Sequence, residues 1–79
     1  MKSAWVLTHT RDNAKESYIF DTIQEAMRKK QNILIDYLYS GDSDISSQDF
    51  THNNAGLKRL ESFLVDFNVY IYITEEIAF

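Results

Sequence analysis

Seventy-nine residues with 44% hydrophobic content make one domain with a small core, and a chain this size buries only about 60–65% of the surface its unfolded form exposes. The chain has no cysteine, which excludes disulfides and thiolate metal sites, and with no proline and two glycines it does not read as a linker or disordered tail. Net charge is −4, split unevenly: residues 1–30 carry six Lys/Arg against four Asp/Glu, and residues 31–79 carry two cations against eight acids, a half that phosphate backbones would repel.

Ala4 to Thr10 is rich in β-branched and aromatic residues and reads as a strand. The polar segment Arg11-Asp12-Asn13-Ala14-Lys15 reads as a turn, because Asp and Asn tolerate left-handed conformations. Glu16 to Phe20 reads as the second strand of an antiparallel hairpin. A helix is expected from about residue 22 to 39. Asp21 or Thr22 is its N-cap, with Gln24 or Glu25 three residues on. Ile23, Ala26, Met27, Lys30, Leu34, Tyr37 and Leu38 form its apolar stripe, Lys30 through its alkyl stem, and Gly41 is its stop.

Ser40 to Asn54 lacks a clear period and reads as a loop, with Ile45 and Phe50 its only large apolar residues and Phe50 its pin. Asn53 or Asn54 caps a second helix over about 55–66, on the spacing of Leu57, Leu60, Leu64 and Phe67. Phe63-Leu64-Val65 also fits a strand, and that alternative stays open. Asp66-Phe67-Asn68 turns the chain into a final strand over about 68–77. The order β-β-α-α-β implies an α+β fold: residues 1–79 as one domain, a three-stranded antiparallel sheet with two helices on one face.

The final strand, Val69-Tyr70-Ile71-Tyr72-Ile73-Thr74-Glu75-Glu76, alternates aliphatic residues with tyrosines. Period two sends Val69, Ile71 and Ile73 to the core and Tyr70 and Tyr72 to the opposite face. Tyr18 and Phe20, with either Trp5 or Ala4 and Val6, could share that face. Exposed aromatics on a sheet could stack bases or bind a protein. The acidic half and the lack of a basic-aromatic RNA motif favour protein.

His9 and His52 share no helical face and read as an ordinary strand residue and a solvated loop residue. Asp42, Asp44 and Asp49 lie in the loop after Gly41, and Asp42-Ser43-Asp44 has the opening spacing of a calcium loop, but the further spaced ligands, the central glycine and the closing glutamate are missing, so no metal or other cofactor is expected. No nucleophile elbow, phosphate loop or dinucleotide fingerprint is present. Arg28-Lys29-Lys30 reads as a solvated face or as a weak tie to the acidic loop. No apolar run spans a bilayer and the first residues lack a signal-peptide core, so the cytoplasm is the expected compartment.

Trp5-Val6-Leu7-Thr8-His9, the charged hairpin, and Phe20-Asp21-Thr22 leading into Gln24-Glu25-Ala26 resemble a set of small uncharacterised bacterial and phage proteins. Those share an aromatic-V-L-x-H strand, a polar hairpin and an aromatic-S/T-S/T helix entry; Asp21 stands where the first S/T would be. Their acidic aromatic last strand is similar to Tyr72-Ile73-Thr74-Glu75-Glu76. The resemblance covers the two ends of the chain and implies a fold. In size and charge the chain also looks like phage inhibitors of host defence, including anti-CRISPR proteins. The expectation is a non-enzymatic binder of a basic protein surface, in contact through Tyr18, Tyr70, Tyr72, Glu75 and Glu76 or through Asp42, Asp44 and Asp49. The alternative is a homodimeric accessory protein.

Overall fold

The structure, a computed structural model, describes residues 2–78. It forms, in order, β1 (Lys2–Arg11), β2 (Ala14–Phe20), α1 (Ile23–Leu38), α2 (Ser43–Ser46), α3 (Asn54–Val65) and β3 (Val69–Ala78). The strands make one antiparallel sheet in the order β2-β1-β3. The α+β class is as the sequence implies. The expected pair of helices is corrected to three among the described residues.

Local chemistry explains most boundaries. Asp12, at φ 53, supplies the left-handed residue of the two-residue hairpin turn. Thr22 caps α1, its hydroxyl oxygen accepting from the Glu25 amide at 3.3 Å. Gly41, at φ 82, follows the end of that helix. Asn53 caps α3 by accepting from the Gly56 amide at 2.8 Å. Asn68, at φ 61, reverses the chain into β3.

The segment Ser40–Asn54 is not a structureless loop. Asp42 accepts from the amides of Asp44 (2.8 Å) and Ile45 (3.3 Å) and so nucleates α2. That turn drives Ile45 into the core, and Phe50 follows it inward, edge-on to Phe63 at 5.5 Å between centroids. Residues 63–65 are helical, which closes the strand alternative.

The core joins Leu7, Val69 and Ile71 of the sheet to Ile33 and Leu34 of α1, to Ile45 and Phe50, and to Leu57, Leu60 and Leu64 of α3. Leu7 and Leu60 are fully buried, and each burial contributes roughly 1.5–3 kcal/mol. Met27, assigned to the apolar stripe of α1, is 56% exposed, whereas Ile33, outside that stripe, is buried. The basic run does not reach the α2 segment: the Lys30 ammonium pairs with Glu61 of α3 at 2.7 Å, and Lys29 lies over the Tyr18 ring.

Candidate functional site

Strand register sorts the sheet into two rows. Leu7 stands opposite Tyr18 of β2 and Ile73 of β3; this row carries the core residues. The other row sets Thr8 opposite Ser17 and Tyr72, Thr10 opposite Lys15 and Tyr70, and Val6 opposite Ile19 and Thr74. Here Tyr70 and Tyr72 are each 44% exposed and Ile19 75%, while Val69 and Ile71 are buried. The alternation over 69–73 therefore has the predicted outcome: Val69 and Ile71 enter the core, Ile73 packs against it, and the phenols of Tyr70 and Tyr72 face outward.

Tyr18 and Phe20 do not share that face. A two-residue turn pairs Arg11 with Ala14, which sets Tyr18 against Leu7 and Phe20 against Trp5 on the core row. The Tyr18 hydroxyl donates to Glu16 Oε2 at 3.1 Å, and the Lys29 ammonium lies 4.6 Å from its ring centroid. Ala4 and Val6, not Trp5, complete the outward row.

The acids fall into separate groups. Glu76, opposite Ala4, belongs to the outward row; Glu75, opposite Trp5, belongs to the core row and is exposed beyond the core. Asp42 and Asp44 line a cavity of about 220 Å³ with Arg11, Tyr37 and Phe67, where β3 begins. Asp49, at φ 50, is exposed in the connection to α3. Val69 and Glu76 are seven residues apart along β3, roughly 23 Å at a strand's rise, so the aspartates near Val69 and the glutamates mark opposite ends of the sheet.

A polar network was not anticipated from the sequence. His9, with 14% of its side chain exposed, has Nε2 hydrogen-bonded to the Tyr37 hydroxyl at 2.7 Å and Nδ1 3.6 Å from Glu16 Oε2. Its ring is edge-on to Tyr37, and the Arg11 guanidinium lies 5.8 Å from the Tyr37 centroid. Burial raises the Tyr37 pKa above the usual 10.0, against the lowering effect of Arg11. The hydrogen bond to Glu16, then burial, raises that of Tyr18. His9 is thus more than an ordinary strand residue: imidazole and phenol satisfy each other and tie α1 to the hairpin. The legible signal was register, because a two-residue turn sets His9 opposite Glu16. His52, exposed as expected, has a partner too, the Tyr39 hydroxyl at 2.8 Å from Nδ1.

Among the described residues no group of three or more His, Cys, Asp or Glu is placed to hold a metal ion, and no helix is long and apolar enough to cross a membrane. The chain matches no family model, no curated protein and no solved structure.

Proposed function

We propose that this chain is a non-enzymatic protein-binding module, with α1 and α3 backing one face of the sheet and the opposite face presented to the partner. The observation that carries this reading is the exposure of Tyr70 and Tyr72 side by side on one sheet row, with Ile19 and Val6 beyond them. Tyrosine offers a large apolar ring and a polar tip at little cost in side-chain entropy, and it is enriched among residues that dominate binding energy. A strand-borne pair is also fixed in direction before contact, which lowers the cost of ordering on binding.

The partner's contact surface is basic. Glu76 lies in the tyrosine row, Glu75 beside it, and Asp42 and Asp44 stand at the far end of the sheet; together they would steer the encounter. A surface that otherwise holds nucleic acid has that character. Covering it would make this chain an inhibitor of a larger complex, the role suggested by the likeness to phage anti-defence proteins.

The test compares wild type with a Tyr70→Ala/Tyr72→Ala variant as bait in an affinity capture, after circular dichroism shows both folded. A partner retained by wild type and lost, by a factor of about 30 or more, from the variant supports the reading. Equal retention by both removes the tyrosine row from the interface.

A further inference from the structure

β3 is an edge strand: among the described residues no strand lies beyond it. It is ten residues long, and its register with β1 runs unbroken from Arg11↔Val69 to Lys2↔Ala78, so no bulge bends it away. Proteins usually blunt such an edge with proline, lysine, a bulge or brevity. Val-Tyr-Ile-Tyr-Ile-Thr-Glu-Glu-Ile-Ala has none of these; its only guards are Glu75 and Glu76.

We propose that this edge pairs antiparallel with β3 of a second copy, giving a two-fold dimer with one continuous sheet, β2-β1-β3-β3-β1-β2. The proposal concerns the strand's edge and does not depend on the tyrosine face having another partner. A two-fold axis perpendicular to the sheet keeps both outward rows on the same side, so opposed residues must belong to the same row. Centring the pairing on Ile73 sets Tyr72 against Thr74 of the second copy, Ile71 against Glu75, Tyr70 against Glu76 and Val69 against Ile77.

Three features favour that register. No acid faces an acid, whereas centring on Glu75 would oppose Glu75 to itself. Ile77, 62% exposed in the single chain, gains Val69 as its opposite; centring on Tyr72 would leave it with none. Val69 also lies at the end of β3 that follows the exposed Val65 (41%) and Phe67 (48%), so apolar surface at one end of the edge meets apolar surface at the other. The dimer then carries four outward tyrosines on one face, a platform twice as wide as that of a single copy.

The experiment uses the full chain. Sedimentation equilibrium from micromolar to several hundred micromolar should show twice the 9.3 kDa mass. Ile77→Lys, at an exposed position, should weaken the dimer about tenfold, because symmetry repeats the lost pair twice. The chain has no cysteine of its own. Ile73→Cys should therefore form an intermolecular disulfide on oxidation, as self-opposed residues lie within disulfide reach, while Ile77→Cys should not. A monomer at every concentration, a dimer indifferent to Ile77→Lys, or cross-linking at 77 rather than 73 would overturn the proposal. A monomer would leave the affinity-capture result standing, and failed capture would leave the dimer standing.

Discussion

Thr8 and Tyr72 stand opposite each other across β1 and β3, and Thr8 is 5% exposed where Tyr72 is 44%. A threonine on the row away from the core is buried because it sits on the central strand, flanked by Ser17 on one side and Tyr72 on the other. Tyr72 thus covers its neighbour while leaving much of its own surface free. Tyr72→Ala is expected to cost about 1 kcal/mol in urea unfolding, and Tyr72→Phe less than about 0.5 kcal/mol, because packing and not the hydroxyl shields Thr8. An equal loss in both variants would mean that the phenol oxygen holds the pair.

Gly56 is expected to resist the usual helix rule. In a helix interior, alanine is more favourable than glycine by about 1 kcal/mol. Here a Cβ would overlap the Thr51 backbone carbonyl, which the Asn53 cap brings against the first turn of α3. Gly56→Ala should therefore destabilise the protein by about 1 kcal/mol or more in urea unfolding. A gain in stability would show that the Thr51 segment moves aside freely.

Asp42 acts on structure before it acts on any partner. Asp42→Ala should cost about 1 kcal/mol and speed amide exchange at Asp44 and Ile45, whose N–H groups it accepts from; Asp42→Ser should largely restore both. If Asp42→Ala leaves exchange at these amides unchanged, the cap is not what holds α2.

Alkaline pH should weaken the fold through Tyr37. Its folded pKa lies above the ordinary 10.0, so the native state keeps a proton that the unfolded chain gives up. That contribution is complete below about pH 10 and is lost as pH rises through the raised value. Tyr37→Phe cannot titrate, so its urea midpoint should fall less between pH 9 and pH 11 than that of wild type. Parallel curves would contradict the burial argument.

Long periodic segments were legible in the sequence. The hairpin, α1, α3 and β3 each announce themselves by alternation or helical spacing, and Thr22, Asn53 and Asn68 mark boundaries by known cap and turn chemistry. A helix of four residues is barely one turn and cannot repeat a period, so α2 stayed hidden; its trace is an aspartate three residues before a lone isoleucine. The misplacement of Tyr18 has a different origin. Alternation within a strand shows which residues share a side but not which side the next strand adopts. Turn length decides that, and reading Arg11–Lys15 as one polar turn left the parity open. The two-residue turn at Asp12-Asn13 settles it, placing Tyr18 inward and setting His9 beside Glu16. The bond from His9 to Tyr37 joins residues 28 apart and belongs to tertiary packing alone.

Tyrosine-selective labelling, read residue by residue with mass spectrometry, tests the binding face most directly when performed on the free chain and on the captured complex. Tyr39, 68% exposed and on α1's C-terminal end, is the internal standard. Tyr70 and Tyr72 should label readily in the free chain and be shielded in the complex, with Tyr39 unchanged. Undiminished labelling of Tyr70 and Tyr72 in the complex, with protection at Tyr39 instead, would contradict an interface on that face of the sheet.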